Sequence, residues 1–414
     1  MKILIVSTYD KKGGAAKAAF RLLQGLNRTN CEASMLVQYK SSDFNKVITP
    51  ASRWVRSKNS INRIIDSRHL QKYKNRNMSL FSSAFAPLST LSKTINSMKP
   101  DLVHLHWVAD SMLRIEDLRR ISVPIVWSLH DMWVFTGGCH YDDNCGKYIL
   151  GCNSCPILRS NRQNDLSTKV FKRKIKTFEA ISGLTIVATS RWLADCAAKS
   201  KLLQGKKIVN LPNPLDLSFY KPIKKEIARD ILGLDYDKKI ILFGAIKATD
   251  DPRKGFQELI SALRLIKRHD VNLLVAGSSY SIELPDCGHR IINFGIFYDE
   301  LSLKIIYSAA DLLVVPSKQE NLSNMIMESL ACGTPVVGFN IGGNPDLIDH
   351  KENGFLAEPY SAQDLAEGIR WVIDHPEPDR LSDNARQKVY NNFGMEEVAS
   401  RYLLLYQSVL GTER

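Results

Sequence analysis

Two acidic residues in the last quarter of the chain could act on one ligand. Glu320 and Glu328 are separated by seven residues and follow a strand-like run, 311–317. An eight-residue step is about two helical turns, so both carboxylates could approach one ligand if a helix begins between them. A helix start offers free N–H groups to phosphate, while carboxylates accept hydrogen bonds from hydroxyls. The pair suits a nucleotide sugar, although two acids at this spacing also occur on ordinary solvated helix faces.

The residues after Glu328 carry a resemblance to a known family. Residues 329–338 indicate a helix end capped by Gly333, a tight turn and a further buried strand. Two acids seven residues apart, followed by Gly-Thr-Pro-Val-Val, resemble the donor-binding domain of the retaining glycosyltransferases of family 4, whose fold is called GT-B. The resemblance spans nearly the whole chain and is most specific over 311–360.

This resemblance implies roles for the two acids and the segment between them. Glu320 would hold sugar hydroxyls, and Glu328 would hold the ribose of the nucleotide. The residues whose backbone would meet the donor phosphate are Asn321, Leu322, Ser323 and Asn324. Many relatives have glycines after the first acid, so the sugar preference is expected to differ. The resemblance also implies retention of anomeric configuration without a metal, with the leaving phosphate taking the proton of the acceptor hydroxyl.

Length and charge limit the class of protein. A chain of 414 residues is suited to two domains of about 200 residues each. The apolar run at 3–6 is too short for a signal peptide, and no stretch approaches the roughly 18 apolar residues of a membrane span. We therefore expect a cytoplasmic protein. Its net charge of +13 implies an anionic partner, namely nucleic acid, anionic lipid or a phosphorylated substrate.

The order of strands and helices predicts an α/β fold with two doubly wound parallel sheets. The predicted strands are 3–6, 35–37, 102–105, 125–129, 184–188, 239–244, 272–277, 290–294, 311–317 and 335–337. A proline-rich linker at 211–216 separates two Rossmann-like domains that face a cleft. We assign 1–213 to acceptor binding and 214–394 to the nucleotide-sugar donor. By resemblance to GT-B enzymes, the helix within 395–414 crosses back to the first domain.

Two features of the first half could also reach a ligand. Gly13 and Gly14 follow the first strand, where adjacent glycines let the backbone approach a ligand, although a tight turn alone is an equal alternative. The resemblance implies that this pair faces the donor diphosphate or the acceptor. His130 follows the strand 125–129, and a lone histidine is more often structural than catalytic. The resemblance implies that His130 contacts the donor sugar.

Departure of a diphosphate requires positive charge, and no Asp-x-Asp metal motif lies in a suitable place. Lys254 matches the family lysine that precedes a helix. The family arginine is missing, because Ala245 stands in its place. Arg253 is the best substitute and Lys247 a weaker one, while a solvated basic loop is the alternative. No cofactor is expected to be required for catalysis.

Four cysteines lie close together in the sequence. They are Cys139, Cys145, Cys152 and Cys155. In a loop of a cytosolic chain they favour a structural zinc site over disulfides, although only the last pair has standard zinc spacing. Reduced cysteines that merely pack, and a redox role, are the alternatives.

Basic residues are concentrated in the first half. Residues 53–76 contain eight Lys or Arg and one Asp, interleaved with apolar residues that include Trp54 and Val55, and a second cluster covers 159–176. This pattern suits an amphipathic helix on anionic lipid, and a solvated helix face fits equally well. Nucleic acid is not expected, because no binding motif accompanies the charge.

The segment His130-Asp131-Met132-Trp133 and the cysteine loop resemble a subgroup associated with bacterial surface polysaccharides such as colanic acid, O-antigen or capsule. The resemblance therefore implies a retaining hexosyltransferase that uses a UDP- or GDP-linked sugar. Its acceptor would be a glycan, lipid-linked, in lipopolysaccharide or exopolysaccharide biosynthesis at the inner face of the cytoplasmic membrane. A GT-B nucleotide-sugar epimerase and a non-catalytic anion or nucleic-acid binder are the alternatives.

Overall fold

The computed structural model describes residues 1–50, 53–77, 79–245, 249–278, 284–297 and 299–412. The chain divides into two compact units. Unit 1 contains Met1–Pro214 and Met395–Arg414, and unit 2 contains Leu215–Gly394. The division falls inside the proline-rich segment 211–216. Within the described residues, no helix is both long and apolar enough to cross a membrane.

Each unit is built on one parallel sheet. The strands are β1 (Lys2–Tyr9), β2 (Glu32–Tyr39), β3 (Val47–Ile48), β4 (Leu102–Leu105), β5 (Ile125–Leu129), β6 (Leu184–Ala188), β7 (Lys207–Asn210), β8 (Lys239–Gly244), β9 (Val271–Ala276), β10 (Arg290–Asn293), β11 (Leu312–Val315), β12 (Val336–Phe339) and β13 (Gly354–Ala357). The order is β3-β2-β1-β4-β5-β6-β7 in unit 1 and β10-β9-β8-β11-β12-β13 in unit 2. These two sheets confirm the predicted fold class.

Helices connect the strands in both units. They are α1 (Gly14–Leu26), α2 (Arg53–Gln71), α3 (Leu91–Ser97), α4 (Leu166–Glu179), α5 (Arg191–Lys199), α6 (Lys225–Leu232), α7 (Phe256–Leu263), α8 (Glu300–Ala309), α9 (Asn324–Ala331), α10 (Asn344–Leu347), α11 (Ala362–Ile373), α12 (Pro378–Phe393) and α13 (Met395–Leu410). Helices on both faces bury the central strands, which explains their nearly continuous apolar sequences.

The last helix of the chain packs within unit 1. A Cβ added to Gly25 of α1 would lie 2.9 Å from the side chains of Ala399 and Met395, so a glycine is needed for α13 to approach so closely. The hydroxyls of Tyr402 and Tyr406 are directed toward polar groups on β4 and β5. Both tyrosines are buried, so α13 belongs to the core of this unit.

Candidate active site

The predicted pair of acids lies at the carboxyl edge of the unit 2 sheet. Helix α9 begins at Asn324, and the side chain of Ser323 caps it by accepting a hydrogen bond from the backbone N–H of Ile326. Glu320 therefore precedes the helix and Glu328 lies inside it, as predicted. Residues 321–323, which lead into this helix start, are buried.

Glu320 is paired with the predicted lysine. The Lys254 ammonium lies 2.9 Å from the Glu320 carboxylate, and both side chains are partly exposed. Gly255 has a φ of 73° and a Cβ there would lie 1.8 Å from the carbonyl oxygen of Pro316, so only glycine lets the lysine turn approach the end of β11. A Cβ on Gly342 would lie 1.9 Å from the Glu320 carbonyl oxygen. Backbone packing thus holds Glu320 from two sides.

Glu328 is presented differently from Glu320. It is 2% exposed, and the Tyr307 hydroxyl donates a hydrogen bond to its carboxylate at 3.0 Å. Burial and the neighbouring carboxylate raise the pKa of Tyr307 well above its usual value, so the phenol stays a donor. Tyr307 comes from α8, 21 residues earlier in the chain. No local sequence signal marked this partner.

Arg253 is engaged with a neighbouring carboxylate. Its guanidinium meets Asp251 through two hydrogen bonds, Nε to Oδ1 at 3.1 Å and an Nη atom to Oδ2 at 2.7 Å. Burial raises the pKa of Asp251, but this pairing outweighs it and holds the pKa below the ordinary value. A bound phosphate would therefore have to compete with Asp251 for this arginine. The weaker candidate, Lys247, lies outside the described residues.

At the carboxyl edge of unit 1, His130 belongs to a group of three histidines. His106 Nδ1 lies 2.9 Å from His130 Nε2. His104, two residues earlier on the same face of β4, lies 2.7 Å from the Tyr406 hydroxyl and 2.8 Å from the Ser128 hydroxyl. Burial lowers the pKa of His130 to about 4 and that of His104 to about 3, so both are neutral near pH 7. The alternation of His104 and His106 was the signal that sequence reasoning missed.

Asp131 anchors a second polar chain beside His130. Its carboxylate lies 2.6 Å from His140 Nδ1 and accepts the indole N–H of Trp107 at 3.2 Å. His140 Nε2 lies 2.9 Å from the Ser82 hydroxyl. Burial raises the pKa of Asp131, but His140 and the hydrogen bonds it accepts outweigh burial and lower the pKa. The loop after β5 is therefore rigidly held.

The glycine pair has the geometry of an open loop. Gly13 has a φ of 89°, which a side chain would strain, and a Cβ added there would meet nothing within 4 Å. Gly14 is the first residue of α1. The backbone at Gly13 is accordingly open to close approach by a ligand.

The four-cysteine loop does not support the predicted zinc site. Across the described ranges, which include Cys139, Cys145, Cys152 and Cys155, no three His, Cys, Asp or Glu side chains are grouped to hold a metal. All four are free thiols. Burial raises the pKa values of all four thiols. Instead the Thr136 hydroxyl donates to the Cys139 carbonyl oxygen at 2.6 Å and organises the loop.

Comparisons with known proteins identify related chains. The family model for Glycosyltransferase Family 4 matches residues 12–219, and that for Glycosyl transferases group 1 matches 224–388. An uncharacterised glycosyltransferase of Methanocaldococcus jannaschii is 30% identical over 73% of this chain and 82% of its own. D-inositol 3-phosphate glycosyltransferase 2 of Catenulispora acidiphila is 30% identical over 72% of this chain and 69% of its own.

Solved structures show the same fold. HepE from Anabaena, in complex with UDP and glucose, superposes with a TM-score of 0.65 at 18% identity, over 99% of this chain and 100% of its own. The two sheets, together with both family models, define a glycosyltransferase of the GT-B class. The chain belongs to glycosyltransferase family 4, as the resemblance implied.

Proposed function

We propose that this protein is a retaining hexosyltransferase that takes a UDP- or GDP-linked sugar in unit 2 and extends a lipid-linked glycan bound by unit 1. The observation that carries the proposal is the 2.9 Å pair of Lys254 and Glu320 beside the start of α9, with Glu328 buried within the same helix. The lysine supplies charge for a leaving diphosphate, and the carboxylate accepts hydrogen bonds from sugar hydroxyls. Arg253 would bind the phosphate beside Asp251 or in its place, since two hydrogen bonds to Asp251 use two of its five N–H donors.

The proposed chemistry needs no metal. The acceptor hydroxyl attacks from the face that the nucleotide leaves, and the departing phosphate oxygen takes the proton. The backbone at 321–324 meets the phosphates at the start of α9, and His130 and the loop at Gly13–Gly14 contact the sugar or its acceptor. Neutral His130 can donate or accept one hydrogen bond, in keeping with its lowered pKa.

We further propose that the protein acts in bacterial surface polysaccharide synthesis, peripherally at the inner membrane face. Helix α2 supports this proposal because one side of it is anchored and another is exposed. Asn62 and Asp66 accept hydrogen bonds from the backbone N–H groups of Leu88 and Phe85, respectively. Ile61 and Ile64 are 44% and 54% exposed. Exposed isoleucines among cations suit anionic lipid. The side chains at 53–57, including Trp54 and Val55, lie outside the described residues.

The second basic cluster is less suited to lipid. In α4, Arg173 pairs with Glu116 at 2.6 Å, and Lys174 is fully buried against the carbonyl oxygens of Trp133 and Thr136. Both side chains are therefore engaged inside unit 1 and are not offered to a lipid surface. The membrane surface that we propose is therefore α2 and the residues after it.

The first experiment is a thermal stability screen with UDP, GDP and their sugar conjugates. Stabilisation by one nucleotide, together with transfer of its sugar to a glycan acceptor, is expected, since a ligand that binds only the folded chain raises its stability. Glu320→Ala should abolish transfer with folding intact. A chain that binds no nucleotide and transfers no sugar would refute the proposed donor site.

The membrane proposal has a separate test. Neutralising Arg63, Arg68, Lys72 and Lys74 together should remove binding to phosphatidylglycerol vesicles at low salt. Nucleotide binding by the same variant is the control, because these residues lie in unit 1. Unchanged vesicle binding would contradict the placement of the membrane surface.

A further inference from the structure

A row of aromatic rings lies at the carboxyl edge of the unit 1 sheet. Tyr39 ends β2, its register partner Tyr9 ends β1, and Trp107 follows β4 on the other side of β1. The ring centroids of Tyr9 and Tyr39 are 5.2 Å apart with planes 20° from parallel, and those of Tyr9 and Trp107 are 6.3 Å apart at 27°. These three rings form one stack, the aromatic row, where ligands bind in parallel α/β sheets.

One end of the aromatic row is open. Tyr39 is 39% exposed, and of the rings in the described part of the chain only Tyr9 stacks on it. The other two rings are fixed by hydrogen bonds, Tyr9 to Asp110 at 2.6 Å and Trp107 to Asp131 at 3.2 Å. The row is therefore a rigid support that presents the outer face of Tyr39.

A strained turn places a carboxylate beside the row. Asp110 and Ser111 both have left-handed backbone, with φ of 54° and 63°. Asp110 accepts the Tyr9 hydroxyl and lies 3.5 Å from Arg63 Nε, while the Ser111 hydroxyl donates to Asp66 at 3.3 Å. Consecutive left-handed residues other than glycine persist only where neighbours hold them, and such strain is concentrated at ligand sites.

An exposed aromatic face, in a row whose middle ring is hydrogen-bonded to a carboxylate, fits a neutral sugar ring better than an anion. The C–H face of a pyranose packs on an aromatic ring, and its hydroxyls donate hydrogen bonds to carboxylate oxygens. A phosphate would instead meet the negative charge of Asp110. Arg63 lies 3.5 Å from that carboxylate, and the Lys12 ammonium lies 5.3 Å from the centre of the Tyr9 ring, so both of these cations already have a contact.

We propose that the aromatic row and Asp110 bind a neutral pyranose unit of the acceptor saccharide, with the sugar stacked on Tyr39. This inference rests on the proposed function, because it names the ligand class of the unit that we assign to the acceptor. It adds specificity residues at the carboxyl ends of three adjacent strands of unit 1.

The test measures binding of methyl glycosides of glucose, galactose and mannose to the full chain by saturation-transfer NMR. At least one should bind, and Tyr39→Ala should weaken it about tenfold, equivalent to about 1.4 kcal/mol. Tyr39→Trp should retain binding because it keeps a flat ring. Asp110→Asn should also weaken binding, since it removes the charged acceptor. Tyr390→Ala is the matched control, because it removes the same side chain at an exposed position (64%) in unit 2. This variant should bind the glycoside as the wild type does.

UDP and GDP binding to the same variants separates this inference from the proposed function. Nucleotide binding should be unchanged by Tyr39→Ala, because the donor site lies in unit 2. If a nucleotide binds but no methyl glycoside does, or if Tyr39→Ala binds the glycoside normally, the inference is overturned and the donor site stands. Binding of inorganic phosphate that is lost in Lys12→Met, with no glycoside bound, would likewise overturn it and indicate an anion site.

Discussion

Replacement of Glu328 separates the structural role of this carboxylate from its proposed role in binding ribose. The side chain is 2% exposed and accepts the Tyr307 hydroxyl at 3.0 Å. Glu328→Gln keeps the volume and an oxygen that can accept the same hydrogen bond, but removes the charge. Glu328→Ala removes the volume, the charge and the acceptor together.

The two variants should differ in their free energy of unfolding by an amount that the hydrogen bond between Tyr307 and Glu328 predicts. Glu328→Ala leaves the buried Tyr307 hydroxyl without this acceptor, which costs about 1–3 kcal/mol in addition to the cavity. The double variant Glu328→Ala with Tyr307→Phe removes the hydroxyl as well and should recover most of that part. Glu328→Gln should cost less than about 1 kcal/mol, since the hydrogen bond survives in neutral form.

Binding should follow the opposite order. Hydrogen bonds to a charged group contribute about 1.5–3 kcal/mol and neutral ones about 0.5–1.5 kcal/mol, so Glu328→Gln should lose the difference and weaken nucleotide affinity about five- to tenfold despite its near-normal stability. Urea unfolding gives the free energies of unfolding, and calorimetric titration with UDP and GDP gives the affinities. Normal nucleotide binding by Glu328→Gln would refute the role of this carboxylate in binding ribose. If Glu328→Gln were as unstable as Glu328→Ala, the hydrogen bond from Tyr307 would not explain the loss of stability.

Three further predictions concern other charges and surfaces. Lys254→Met should lower kcat about a hundredfold by removing the cation beside Glu320, with the stability of the protein nearly unchanged. Lys254→Arg keeps the charge and should stay largely active. Normal turnover in Lys254→Met would exclude the lysine from catalysis. Burial lowers the pKa of Lys174 to about 7, so the unfolded chain holds this proton to higher pH than the folded chain. Stability should therefore rise between about pH 7 and 10 by up to about 1.4 kcal/mol per pH unit, and Lys174→Met should lack this component in urea titrations; equal slopes would contradict it. Serine at both Ile61 and Ile64 should reduce vesicle sedimentation while nucleotide binding persists, and undiminished sedimentation would exclude this face of α2 from lipid contact.

The fold was largely predictable because its central strands are buried on both faces. The predicted ranges 102–105, 125–129, 184–188 and 239–244 coincide with β4, β5, β6 and β8. Three strands were missed, namely β3, β7 and β13. Strand β3 has only two residues, β7 has exposed ends at the sheet edge, and β13 has four residues that begin with glycine, so none carries a long apolar run.

Local pattern and resemblance together located the acids, the lysine and His130, because each follows a strand at the edge where ligands bind. They did not predict the burial of each side chain or the residue with which it pairs. The local turn pairs Arg253 with Asp251. Only the tertiary structure buries Glu328 against Tyr307 and leaves the four cysteines without a metal-binding arrangement among the described residues.

The sequence by itself determined the two sheets, since apolar periodicity is local and burial follows from it. The tertiary structure decided which polar groups form hydrogen bonds and ion pairs with one another. His104 on β4 meets Tyr406 on α13 across 302 residues, and Lys254 meets Glu320 across 66. A hydrogen bond depends on the position of two atoms to within a fraction of an ångström, and only the packing of whole elements sets that position.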